Sequence, residues 1–255
     1  MGLSNWQREF DWLIQNRISF SAPVIKTCVH RWSDFSGSQL EDARTRLQQL
    51  RTLYSIETWP SFCTWNELQL SLFYLDLLDQ HAKQLPPATK PPQLDIGCKN
   101  WSYLPALQAF RPGQWLGIEI DAHRRDLSLA TRKAYGEYMA MNCGSARYQV
   151  GSLLDLAGQY AFITWFLPFV LPHPQSAQRI PDRFFQPEIL FQKAWSLLAN
   201  HGCLWIINQG EQETEAQRAL LEETAADVTF LGTMESPFNL FKQPRFGWLL
   251  RKEVP

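Results

Sequence analysis

Apolar side chains follow two different rhythms along this chain, and the change comes near Gln93. Before that point the spacing is helical. Trp6, Phe10, Leu13 and Ile14 recur every three or four positions, which predicts an amphipathic helix with one buried stripe. Ser38-Gln39-Leu40-Glu41 reads as a capping box, and Leu40, Ala43, Leu47, Leu50 and Tyr54 share one face of the helix that follows. A second box, Thr64-Trp65-Asn66-Glu67, opens a helix in which Leu68, Leu70, Leu72, Phe73, Leu75, Leu77 and Leu78 occupy nearly every face. Such a helix must be buried on most sides, and two small helical partners cannot cover it.

Leu85 to Pro92 contains four prolines, which remove amide donors and restrict the residues before them, so it is read as a domain boundary. Beyond it, short apolar runs alternate with helical patterns, as in a parallel sheet. Strands are expected near Leu94 to Gly97, Trp115 to Ile120, Arg147 to Val150, Ala161 to Phe166, Cys203 to Asn208, Val228 to Leu231 and Phe246 to Arg251. Helices are expected near Tyr103 to Phe110, Ala122 to Met141, Pro187 to Ala199 and Glu211 to Ala226, with Asp121 as an N-cap. Gly232 to Arg245 holds no helical pattern, so the last two strands should form a hairpin and the final strand should run antiparallel. The expected fold is a doubly wound α/β sheet of seven strands, mostly parallel, on residues 91–255. Residues 1–90 form a helical cap or substrate subdomain over its carboxyl rim. Trp59, Trp65 and the Thr233 to Arg245 loop are expected to help build an acceptor pocket there.

Composition narrows the function classes. The net charge of −1 and the even mixture of signs give no electrostatic footprint for nucleic acid. The five cysteines are widely spaced, form no CxxC pair and are odd in number, which reads as reduced thiols in a cytoplasmic protein rather than a disulfide frame or zinc site. Met1 to Phe20 carries Arg8, Glu9, Asp11 and Arg17 inside its apolar pattern and is read as a helix, not a signal peptide. No uninterrupted apolar run approaches the roughly 18 residues of a membrane span. His123, His173 and His201 have no metal-like spacing and are read as surface or loop histidines.

The chemistry concentrates in Gln93-Leu94-Asp95-Ile96-Gly97-Cys98-Lys99-Asn100-Trp101, where an apolar run ends in an acid and a glycine, and in Trp115-Leu116-Gly117-Ile118-Glu119-Ile120-Asp121, a second apolar strand ending in carboxylates. A glycine turn beside an acidic strand end suits a nucleoside with ribose hydroxyls. Asn208, Gln209 and Glu211 fall on the rim where the fifth strand ends, and could orient an acceptor or take its proton.

Leu94 to Cys98 resembles the first motif of the class I S-adenosylmethionine-dependent methyltransferases, an apolar run followed by acid-x-Gly-x-Gly-x-Gly, with Lys99 and Trp101 standing at the second and third glycines. Gly117 to Asp121, Tyr148 to Asp155, Ile163 to Phe169 and Ala194 to Leu204 resemble, in order, later segments of the same family. The resemblance implies S-adenosylmethionine as cofactor. Gly97 and Cys98 would lie against its methionine portion, Asp95 would reach the ammonium through water, and Lys99 would either pair with the carboxylate or repel the ligand. Glu119 would take the ribose hydroxyls beside Ile120, with Ser152 and Leu153 along the adenine. Trp165 or Phe166 would border the methyl, and Phe166, Phe169 and Asn208 would meet the acceptor. Phe166-Leu167-Pro168-Phe169 matches only the last half of the Asn/Asp-Pro-Pro-aromatic motif of amino methyltransferases. No catalytic base is identified. The expected acceptor is a small molecule or a protein. Two other classes compete. A nicotinamide dehydrogenase would also use an acidic second strand, but Gly97 to Trp101 lacks the glycine spacing for a pyrophosphate. A sheet that has lost its reaction could serve as a binding scaffold, for which the eleven tryptophans and Pro237 to Phe241 are suitable surface material.

Overall fold

The computed structural model describes residues 4–18, 20–24, 26, 28–29, 31–85, 92–222 and 227–252. Seven strands form one sheet: β1 (Gln93–Ile96), β2 (Trp115–Glu119), β3 (Ala146–Val150), β4 (Tyr160–Phe166), β5 (Leu198–Gln209), β6 (Asp227–Thr233) and β7 (Arg245–Arg251). Their order is β3-β2-β1-β4-β5-β7-β6. The pairs among β1 to β5 are parallel, while β7 runs antiparallel to both β5 and β6. The expected doubly wound sheet with an antiparallel last strand is therefore present. The carboxyl ends of β1, β2 and β4 lie side by side, with Ile96 in register with Ile118 and Trp165.

Alternation along the strands separates two cores. Leu94, Ile163, Leu204 and Leu250 point to one face and pack with α7 (Pro187–Leu197) and α8 (Gly210–Glu222). Trp115, Phe162, Trp205 and Leu249 point to the other, which carries α2 (Ser38–Leu53), α3 (Trp65–Gln80), α4 (Leu104–Phe110) and α5 (Arg132–Asn142). The apolar helix α3 thus finds its cover on the sheet, and side chains from both sides of the proline-rich stretch meet in one core. Thr64 caps α3 as expected: its backbone amide donates to Glu67 Oε2 at 2.8 Å. Three glutamines of α2 and α3 hold the β6–β7 loop by its carbonyls. Gln39 donates to Pro237 and Asn239 at 3.1 and 2.9 Å, Gln80 to Glu235 at 3.0 Å, and Gln69 to Phe238.

Several sequence expectations need correction. The first helix, α1 (Asn5–Arg17), exists, but its apolar stripe faces outward. Trp6 is 70% exposed and Phe10 58%, while Arg8 and Trp12 are the buried residues. The opposite face wins because it makes specific contacts: Arg8 pairs with Asp182, Gln15 donates to Asp121 Oδ1 at 2.8 Å, and Trp12 packs on Phe184. The Ser38 box does not form, since Gly37 holds the N-cap position without a side-chain bond. The helix expected from Ala122 begins only at Arg132, capped by Thr131. Asp121 instead pairs with Arg124 and with Arg132, the latter at 2.9 Å, and these pairs hold the intervening residues as a loop. A short helix, α6 (Pro172–Ala177), appears where no pattern suggested one. The end of the helix expected to Ala226, and residues 86–91 of the proline-rich boundary, lie outside the described residues. Among the described residues no helix is long and apolar enough to cross a membrane.

Gly117 in β2 shows how closely the first loop packs on the sheet. A Cβ there would lie 2.7 Å from Trp101 Cε2 and 2.9 Å from Cys98 Sγ, both fully buried. Gly117→Ala should therefore destabilise the fold by about 1–3 kcal/mol through overpacking, as read by urea unfolding; an unchanged midpoint would mean that the indole has room to move.

Candidate functional site

A cavity of about 910 Å³, counting space open to solvent, lies beyond the carboxyl ends of β1, β2 and β4. Its floor is the β1–α4 turn and the end of β2, its far wall the residues just after β3, and its roof the 165–190 segment. Gly97, Lys99, Glu119, Ile120, Ser152, Leu153, Trp165, Phe166 and Phe169, all expected at a site, line it. The structure does not bring Asp95, Cys98 or Asn208 to the wall. Strand alternation explains Asp95: Ile96 points to the cavity face, so its neighbour points away. Cys98 fills the space left by Gly117, and Asn208 is fully buried. Trp59, Trp65 and the β6–β7 loop, expected at an acceptor pocket, do not line this cavity either; both indoles belong to the core.

The turn carries unusual backbone geometry. Gly97 has φ +67°, and Lys99 and Trp101 have φ +53° and +52°. All three positions of the glycine pattern are left-handed, although side chains occupy two of them. Such residues cost roughly 1–2 kcal/mol each and persist only where the surroundings hold them. Here Trp101 is locked in the core, its amide donates to Cys98 O at 2.7 Å, and Tyr148 donates its hydroxyl to Lys99 O at 2.6 Å. A Cβ at Gly97 would meet nothing within 4 Å, so the backbone there is open on the side a side chain would occupy.

Among the described residues Glu119 is the only acid in the cavity wall, and it is 4% exposed. Lys99 N donates to its Oε2 and Asp121 N to its Oε1, each at 2.7 Å. Each oxygen keeps acceptor capacity beyond that one amide. Arg132, which sequence reasoning missed, stands 3.9 Å from Glu119 Oε1 and donates to Gln178 Oε1 at 3.2 Å, so it ties the acid to the roof. No motif marks Arg132 or Gln178. The available signal was a basic residue just after a Thr cap, which is common on surface helices. Burial and the neighbouring Arg132 push the Lys99 ammonium below its ordinary value, partly offset by Glu119. The roof is apolar, lined by Trp165, Leu167, Pro168, Phe169, Ile180 and Phe184, whereas Phe166 reaches the wall but turns its ring into the core against Tyr74. Leu167 there is also left-handed, at φ +58°, with its amide on Ile207 O at 2.7 Å.

Beneath the turn, Asp95 accepts from Thr164 Oγ1 at 2.6 Å and is fully buried. Burial pushes its carboxyl up to about 7, against the opposing pull of Thr164, Tyr103 and Trp101. Among the described residues no group of three or more His, Cys, Asp and Glu could hold a metal ion.

No protein-family model and no curated protein sequence matches the chain. Solved structures do. A SAM-dependent methyltransferase from Aquifex aeolicus aligns over 71% of this chain and 91% of its own, with TM-score 0.51 and 14% identity. The selenomethionine-substituted CurJ carbon methyltransferase aligns over 73% of this chain with TM-score 0.51 and 12% identity, and this chain spans 56% of its length. The likeness is one of fold: the chain has the class I methyltransferase fold.

Two expectations follow from the turn. Lys99→Gly should be about 1 kcal/mol more stable than Lys99→Ala in urea unfolding, because only the first relieves the left-handed strain; equal stabilities would show that the turn relaxes. The raised carboxyl of Asp95 makes folding take up a proton between about pH 4 and 7. Its stabilising contribution is fully present below that window and is lost as pH rises through it. Asp95→Asn should flatten this part of the stability profile, measured by denaturation at pH 5 and pH 8; an unaltered slope would assign the dependence elsewhere.

Proposed function

We propose that this protein transfers a methyl group from S-adenosylmethionine to an acceptor nucleophile. The observation that carries the reading is the buried carboxylate of Glu119 at the end of β2, on the floor of a cavity between the Gly97 turn and the Ser152-Leu153 wall. A nucleoside needs such an arrangement: a carboxylate for two ribose hydroxyls, an apolar wall for the base, and a turn without side-chain obstruction for its tail. The strand order supports it further. A dinucleotide-binding sheet has six strands in the order 3-2-1-4-5-6, whereas here β7 is inserted antiparallel between β5 and β6.

In this reading Glu119 accepts from the ribose, using the capacity its two backbone amides leave free. Ser152 and Leu153 lie along the adenine, and Gly97 lets the backbone approach the amino-acid portion. Bound there, the cofactor supplies a sulfonium-activated methyl for in-line displacement, so the protein's task is to hold donor and acceptor in line. Trp165 and Phe169 exclude water from the reacting end, and their ring faces favour a cation, while Phe166 turns its ring into the core against Tyr74. The acceptor, a small molecule or a protein side chain, enters at this aromatic end. The capping role expected of the N-terminal helices falls to α1 alone, whose Trp12 backs Phe184 in the cavity wall, because α2 and α3 pack on the face of the sheet. All five cysteines are free, which suits a reducing, cytoplasmic setting.

Millimolar S-adenosylmethionine or its demethylated product should raise the melting temperature of the wild-type protein by mass action. Glu119→Ala should unfold cooperatively but lose that shift. No rise with either ligand in the wild type would overturn the reading.

A further inference from the structure

Lys99 occupies the cavity wall at the position of the pattern's second glycine, and its two ends do different things. Its backbone amide is committed to Glu119 at 2.7 Å. Its ammonium makes no ion pair or hydrogen bond with any described residue, although it stands in a largely enclosed wall. The charges acting on it are of both signs: Arg132 and Arg245 oppose it, while Glu119 and Glu213 favour it. Glu119 already accepts two backbone amides, and Arg132 stands between it and Asp121. Glu213 is held by the amide of Gln209 at 2.9 Å. Asp95, the acid nearest in sequence, faces the opposite side of the sheet toward Thr164.

Among the described residues the cavity therefore carries a cation without an ion-pair partner, and apart from Glu119 it offers no carboxylate for positive charge on a ligand. A lysine kept in a strained backbone conformation, with its charge unmatched, suits a site whose missing counter-ion arrives with the ligand. The nucleoside of the proposed reaction exists in two forms that share one amino-acid tail. The sulfonium donor carries a net positive charge, and the thioether product is neutral overall.

We infer that Lys99 makes the cavity select its nucleoside by charge, pairing with the tail carboxylate and disfavouring the extra positive charge of the sulfonium, so that the product form is held more tightly than the donor. This rests on the methyl-transfer reading and adds to it a discrimination that a glycine at the same position would not provide. Opposition between two unit charges several ångströms apart in a partly enclosed site is worth on the order of tenfold in affinity, and added salt weakens it.

Isothermal titration calorimetry of the full chain at low ionic strength tests it, with S-adenosylmethionine, S-adenosylhomocysteine and 5′-methylthioadenosine, which has neither carboxylate nor ammonium. The wild type should bind S-adenosylhomocysteine about tenfold more tightly than S-adenosylmethionine. In Lys99→Met, which keeps an unbranched side chain of similar length, that gap should shrink to about threefold or less, while methylthioadenosine affinity stays within about twofold. Lys99→Gln gives the same comparison should the methionine variant fold poorly. A gap that survives in a folded variant, or a loss of methylthioadenosine as large as that of S-adenosylhomocysteine, would overturn the charge selection. Failure of the wild type to bind any of the three would instead remove the methyl-transfer reading, and the selection with it; equal wild-type binding of the donor and product forms would remove the selection alone.

Discussion

Glu119 accepts one backbone amide on each carboxylate oxygen, Lys99 N on one and Asp121 N on the other. Through those two bonds a single buried side chain joins the turn after β1 to the loop after β2, the two segments that form the cavity floor. The carboxylate is in turn kept in place by Arg132, which also grips Asp121 and Gln178. A buried acid with donors on both oxygens is held in one orientation, and charge-assisted bonds of this kind are about twice as strong as neutral ones. Without this acid the turn would lose the acceptor for one of its amides, and the cavity would lose the only carboxylate that the described residues give it.

The same turn shows how a motif can change its residues and keep its shape. A glycine-rich loop is normally explained by the conformational freedom of glycine. Here two of three such positions carry side chains, yet the left-handed backbone survives at each of them. Trp101 contributes its indole to the core against Gly117, and that burial fixes the main chain that carries it. Lys99 is pinned by Glu119 from its amide and by Tyr148 at its carbonyl. Packing and hydrogen bonds thus supply what glycine would otherwise permit. The lysine lines the cavity, so its charge becomes a property of that cavity.

The sheet was legible in the sequence because its buried strands read as short apolar runs, most clearly β4, β5 and β7, while the edge strands β3 and β6 are largely unburied and carry a weaker mark. That Gly97, Glu119, Ser152 and Trp165 would line a cavity was legible because crevices open where the strands of such sheets end. What failed did so for local reasons. Asp95 and Asn208 sit at strand ends too, but the linear pattern does not say which face an alternating side chain will take. The Asp121 to Thr131 segment contains helix-compatible residues, and only the folded arrangement brings Arg124 and Arg132 onto one carboxylate to hold it as a loop. The stripe Trp6, Phe10, Leu13 and Ile14 has helical spacing, but spacing cannot tell a face turned to the core from one turned out. The roof, with its prolines and glutamines, carries no periodic signal at all.

The account stands or falls on whether the carboxylate that organises the floor also receives a nucleoside. A crystal structure of the protein grown with S-adenosylhomocysteine is the most direct measurement. The account predicts both ribose hydroxyls within about 3 Å of Glu119, the base against Leu153, and the two backbone amides still in place. A nucleoside bound elsewhere, or a cavity in which Glu119 meets nothing but Lys99 N and Asp121 N at saturating ligand, would contradict it.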